Sequence, residues 1–173
     1  MSIRIETERL VLRPPAETDL EPLAEINADP EVMRFIGEGK PHDLERTRKV
    51  LEKSMQHWEE HGWGLFAVDL SETGETIGIV LLAVPGFLPE ILPAVEVGWR
   101  IERSRWGRGY APEAARAVIG YAFDQIGLDR LVSCIHCDNT ASERVAEKLG
   151  MSLEREAVVP GNGVRCRVYE IRR

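Results

Sequence analysis

Arg9-Leu10-Val11-Leu12-Arg13 is a short apolar run closed by Pro14-Pro15, the pattern of a strand that stops at a turn. Thr18 then stands as a candidate N-cap for a helix running to about Asn27. Between Asp43 and His61, Leu44, Val50, Leu51, Met55 and Trp58 recur on an imperfect 3.6-residue stripe that ends at Gly62, which predicts an amphipathic helix. Beyond Gly62 the rhythm changes. Runs 64–70 and 76–84 are apolar and β-rich, and Ser71-Glu72-Thr73-Gly74-Glu75 joins them as an antiparallel hairpin. A loop with Pro85, Gly86, Pro89 and Pro93 leads to a strand over 95–101, and a helical pattern follows from Ala111 to about Ile126, broken at Gly127. A strand over 131–137, a turn at Asp138-Asn139-Thr140 and a helix over 141–149, ended by Gly150, come next. Two last strands, about 152–159 and 164–171, meet across Pro160-Gly161-Asn162-Gly163. Strand, two helices, three strands, helix, strand, helix, two strands is an α/β (α+β) order, and no repeat or linker interrupts it.

Length and charge narrow the classes. The 173 residues suit one compact domain over 1–173, and a net charge of -7 argues against a nucleic-acid binder, which needs a clustered positive face. The first ten residues lack the cationic stretch and apolar core of a secretory signal, and the longest apolar run, Ile77 to Val84, is far short of a membrane span. The expectation is a cytoplasmic protein with no membrane partner. Three cysteines, an odd number, fit reduced thiols. Cys134-Ile135-His136-Cys137 has the look of half a zinc site, but a separation of three along a strand sends the two thiols to opposite faces, so no metal is expected.

The chemistry concentrates where the strand at 95–101 passes through Arg103 to Tyr110 into the next helix. Gly107 and Gly109 allow positive φ and close approach of the backbone, and Pro112 suits a first helical turn. Such a junction points unpaired N–H groups and the positive end of a helix dipole at one place, which suits a phosphate. Arg100, Arg103, Arg105 and Arg108 add cations nearby. A solvated charged turn is the bland alternative. A dinucleotide fingerprint fails because Pro112 replaces its third glycine, and no Gly-Lys-Ser/Thr of a nucleotide P-loop occurs.

Thr7-Glu8-Arg9-Leu10-Val11-Leu12-Arg13, Gly62-Trp63-Gly64, Val97-Gly98-Trp99, Trp106 through Ala114, and Asn139 through Gly150, in this order and spacing, resemble the GNAT superfamily of N-acetyltransferases, in particular its RimJ/RimL-like branch. The resemblance implies a mixed central sheet of about seven strands, mostly antiparallel, flanked by about four helices and splayed at a coenzyme A site. It implies acetyl-CoA as co-substrate and a primary amine as acceptor. It places Gly107, Arg108, Gly109, Tyr110 and Ala111 on the CoA pyrophosphate, Val97, Trp99 and Ile101 beside the pantetheine arm, and Asn139 and Ser142 against the arm and the sulfur. It also implies that a backbone N–H near Val97 or Gly98 binds the thioester carbonyl. Two positions depart from the superfamily pattern: Trp106 stands where Gln or Arg is usual, and Ala146 where many members carry a tyrosine acid.

With that tyrosine absent, Ser142 is the candidate donor to the departing sulfur, and Glu96, directly or through water, is the candidate base. Glu96 has an equal reading as an exposed strand residue, Asn139 and Ser142 as turn and first-turn residues, and His136 as a rival base. A carboxylate at its ordinary pKa is a poor base, so burial must raise it. The acceptor stays open among protein N-terminal α-amines, polyamines, aminoglycoside-like amines and amino-acid derivatives, with Met33, Phe35, Trp58, Phe87 and Leu88 as candidate pocket walls. A non-catalytic acyl-CoA-binding regulatory domain is the rival class. Either a monomer or a homodimer fits, and the apolar Phe87-Leu88 loop is a candidate dimer contact.

Overall fold

The computed structural model describes residues 3–173, so the first two residues of the leader reading and of the expected 1–173 domain lie outside it. The chain forms β1 (Ile5–Glu6), β2 (Leu10–Arg13), α1 (Leu20–Ala28), α2 (Pro30–Met33), α3 (Leu44–His61), β3 (Leu65–Leu70), β4 (Thr76–Ala83), β5 (Glu96–Ile101), α4 (Tyr110–Tyr121), β6 (Arg130–His136), α5 (Thr140–Lys148), β7 (Ser152–Val158) and β8 (Arg165–Arg172). One sheet runs in the order β1-β2-β3-β4-β5-β6-β8-β7. Every neighbouring pair is antiparallel except β5 and β6. The sheet thus has eight strands, one more than the sequence pattern counted. The addition, β1, is two residues long, too short to display an alternation.

Local chemistry sets the helix limits. The Asp43 carboxylate accepts from the Arg46 N–H at 2.8 Å and starts α3, while Asn139 caps α5 through the Ser142 N–H at 3.2 Å. Thr18, the expected cap of α1, lies inside a short 3-10 turn instead. Asp19 takes the site over: its carboxylate accepts from the Ala16 N–H at 2.8 Å and binds Arg13 at 2.7 Å. The pattern expected to stay helical to Ile126 does so only to Tyr121, then widens into a π-helical turn over Ala122–Ile126.

Both faces of the sheet are covered. Val80, Leu82 and Val97 pack with Ala114, Val118 and Ala146 under α4 and α5. On the other face Ile79 and Leu65 pack with Leu23, Ile26 and Leu51 of α1 and α3. The β4–β5 register sets Ile79 opposite Arg100, Leu81 opposite Gly98 and Ala83 opposite Glu96. Glu96, Gly98 and Arg100 therefore project toward the α1/α3 face, and Val97, Trp99 and Ile101 toward α4. Among the described residues no helix is long and apolar enough to cross a membrane.

Candidate functional site

The site begins at a failure of pairing. β5 and β6 share a single parallel bridge, Glu96 with Val132, and then separate. The Val132 N–H donates to the Val95 carbonyl at 3.0 Å, and the Val97 N–H completes that bridge. Glu102 donates to the Ile77 carbonyl at 2.8 Å, so the even-numbered residues of β5 turn their backbone groups to β4 and the odd-numbered ones to the gap. Gly98 therefore faces β4, and the first unpaired donor opening on the gap belongs to Trp99. The Val97 and Gly98 N–H groups are engaged within the sheet, so of the donors near Val97 or Gly98, where one was expected, that of Trp99 is the open one. The Trp106 indole N–H donates to the Ile101 carbonyl at 2.8 Å and closes the far end of this edge.

The Gly-containing loop enters α4 beside that edge. Gly107 at φ +73° and Gly109 at φ +81° hold left-handed conformations that only glycine adopts at low cost. No side chain caps α4, and among the described residues the N–H groups from Gly107 to Ala111 donate to no protein acceptor. Arg9 holds the loop from below. Its Nη1 donates to the Arg108 carbonyl at 2.9 Å, its Nε to Glu113 at 2.7 Å, and its guanidinium stacks 4.5 Å from the Tyr110 ring centre. Thr7 Oγ1 donates to the same carboxylate at 2.6 Å. Burial pushes the Glu113 carboxyl up, but these donors outweigh it and hold the group below the usual range. The first strand motif thus serves as the brace of the loop.

On the α1/α3 side the gap opens into a cavity of about 400 Å³, lined among others by Glu96, Gly98, Arg100, His136, Asn139 and Ser142. Glu96 is surrounded by protein except where it meets the cavity, and this burial pushes its carboxyl up to about 7. The Cys134 N–H, donating at 3.2 Å, opposes the shift only in part. Glu96 therefore has the poise of a base near neutrality. Asn139 and Ser142 line the cavity, and the Ser142 N–H donates to the Asn139 side chain at 3.2 Å, the turn arrangement read from the sequence. His136 lines the cavity as well, its ring 5.0 Å from that of Phe35. Burial and the neighbouring Glu96 push the Cys134 thiol up, which leaves it protonated. Among the described residues no His, Cys, Asp and Glu cluster is arranged to hold a metal.

Of the five expected walls, Phe35 and Phe87 line the cavity, while Met33, Trp58 and Leu88 are core. The four arginines assigned to the loop scatter. Arg103 lies 3.9 Å from Asp29, Arg105 pairs with Glu75 at 2.7 Å, and Arg100 points to the opposite face, into the cavity. Only exposed Arg108 remains beside the loop. The signal that separates Arg100 from the others is parity, since it shares its side of the strand with Glu96. Arg9 is the second residue whose place the pattern did not reveal.

Comparison with known proteins bears on the family and the fold. A family model described as an acetyltransferase (GNAT) domain matches residues 9–152. An uncharacterized protein of Bacillus subtilis, YkkB, is 32% identical over 152 residues, covering 86% of this chain and 84% of its own. An acetyltransferase structure from Agrobacterium tumefaciens superposes with a TM-score of 0.83 at 34% identity, covering 99% of this chain and 95% of the other. RimL, a ribosomal-protein α-N-acetyltransferase solved with coenzyme A, matches at a TM-score of 0.80 and 17% identity over 98% of each chain, a likeness of fold.

Proposed function

This chain belongs to the GNAT acetyltransferase family, and from that premise we propose that it moves an acetyl group from acetyl-CoA to a primary amine by direct attack of the amine on the thioester. The observation that carries the reading is the meeting of three features at one gap: the free N–H groups before and within the first turn of α4, the open edge of β5, and Glu96 raised to about 7. In this proposal the N–H groups from Gly107 to Ala111, with Arg108, hold the pyrophosphate, where the helix dipole adds to them. Val97, Trp99 and Ile101 run beside the pantetheine arm, and the Trp99 N–H receives the thioester carbonyl as it gains negative charge. Glu96 takes the proton of the incoming ammonium, directly or through one water. The amine nitrogen forms its bond to the acetyl carbon, the carbon–sulfur bond breaks, and the second proton lost by the nitrogen passes to the departing thiolate, to which Ser142 donates a hydrogen bond beside Asn139. The acceptor is a protein N-terminal α-amine or a small-molecule amine, and a single cytoplasmic domain suffices for the work.

Ala146, fully buried in the core where many relatives of this fold carry a tyrosine acid, favours a second reading: an acyl-CoA-binding regulatory domain without turnover. Calorimetric titration with CoA, followed by thiol release from acetyl-CoA across peptides, polyamines and amino-acid derivatives, separates the two. The expected result is CoA binding with amine-dependent release of thiol. Binding without release by any amine in the panel would replace the enzyme with the regulator, and no binding at millimolar CoA would remove both.

A further inference from the structure

We propose that the amine acceptor also carries a carboxylate and that Arg100 receives it, an inference that rests on the acetyl-transfer reading above. Arg100 leaves β5 on the face of Glu96, two residues beyond Gly98, and lines the same cavity. Its Nη1 donates to the Asn27 side-chain carbonyl, and the Asn27 amide donates to Thr47 Oγ1 at 3.3 Å. These partners are neutral. Nε is sealed from solvent without an acceptor, Nη2 makes no hydrogen bond among the described residues, and no carboxylate pairs with the guanidinium. Burial lowers its pKa only to about 10, so the group is a cation at neutral pH.

The rest of the fold treats such arginines differently. Arg13 is held by Asp19 and Asp69, Arg130 by Glu170 and Arg167 by Glu143, each at 2.8 Å or less. With 29 acidic residues against 22 basic ones, carboxylates are plentiful, yet Arg100 is left without one. A cation largely withdrawn from water with no counter-charge is costly, and Nη2, the unpaired guanidinium donor that protein does not seal, is the one placed to meet a ligand carboxylate. CoA is not the missing partner, because its pyrophosphate would lie at the start of α4, on the other side of the sheet. Phe35, Ile79, Leu81 and Phe87 give the cavity apolar walls and one positive charge, which match a monoanion with an apolar body. Glu96 and Arg100 stand four residues apart, about 13 Å along the strand. Gly98 between them has open space where a Cβ would be, so both side chains reach toward a small ligand lying over it.

The test compares phenylalanine and methionine with phenylalaninamide and methioninamide as acceptors, for the wild-type chain, Arg100→Met and Arg100→Lys. The amides keep the shape and have the less basic amine, so chemistry alone favours them. The expected result is a wild-type kcat/KM at least about tenfold higher for the acids, a preference lost in Arg100→Met mainly through KM and partly kept in Arg100→Lys. CoA affinity should be the same in all three. Amides used as well as the acids by the wild type, or a preference that survives Arg100→Met, overturns the proposal while leaving acetyl transfer intact. If no amine releases thiol, the enzyme reading has failed by itself, and calorimetry of phenylalanine against phenylalaninamide on the CoA-free protein still decides: heat from the acid alone, abolished by Arg100→Met, supports the carboxylate site, and no heat from the acid overturns it. A melting temperature lowered in Arg100→Met with substrate preference unchanged would reduce Arg100 to a brace for Asn27 and also overturn it.

Discussion

Replacing Glu96 by Gln tests the poise of the cavity through stability and catalysis together. Burial raises the folded-state pKa of Glu96 from 4.5 to about 7, and each unit is worth about 1.4 kcal/mol, so holding the ionised form in the fold costs about 3 kcal/mol. The sign follows from the direction of the shift. A raised carboxyl favours folding below the unfolded pKa, and that advantage is lost as pH rises through the folded value. Glutamine cannot ionise, so the variant should gain on the wild type between about pH 4.5 and pH 7 and hold a constant lead above that. For a chain of this size about 3 kcal/mol is a change of roughly 6–12 °C in the melting-temperature difference across that range. Any fixed cost of the new amide cancels, because it does not vary with pH. The same substitution should abolish the acidic limb of the kcat profile near pH 7, and that limb should stay in place in the wild type when the amine is exchanged for one of different basicity. A melting-temperature difference that is flat from pH 4.5 to 8 would refute the raised carboxyl, and an acidic limb kept by Glu96→Gln would refute its role as base.

Ser142→Ala removes the proposed donor to sulfur while keeping the N–H that Asn139 caps, so kcat should fall about tenfold or more with CoA affinity little changed, measured by steady-state kinetics and calorimetry. Arg9→Ala withdraws the brace on the Arg108 carbonyl and the Tyr110 ring, and calorimetry should show CoA binding weakened about tenfold with acceptor KM unaffected. Gly98→Val adds a side chain where a Cβ meets nothing within 4 Å and suits a strand, so thermal melting should be unchanged while kcat/KM for the amine falls with CoA affinity intact.

The elements were legible where local chemistry decides them. Asp43 and Gly62 bound α3, Asn139 caps α5, and the hairpin at 71–75 lies where its turn residues placed it, because caps and turns depend on neighbours a few residues away. Thr18 misled because Asp19, nearly free of solvent contact, takes its place at the helix start and is claimed by Arg13 at the end of β2. The glycine turn that starts α4 was readable for the same local reason, although Arg9, which braces it, lies about a hundred residues away in the chain.

What the amino-acid order settled unaided was the succession of the longer strands and helices, without β1 and α2, and the presence of an uncapped, glycine-built helix start. The tertiary structure alone decided where β5 parts from β6, which donor opens on that gap, and that Glu96 and Arg100 share one cavity. Periodicity records which side of a strand a residue takes, but not what covers that side. The desolvation that lifts Glu96 and the absence of a counter-ion at Arg100 come from packing by α1, α3 and β6, elements distant in sequence, and only the assembled fold sets them.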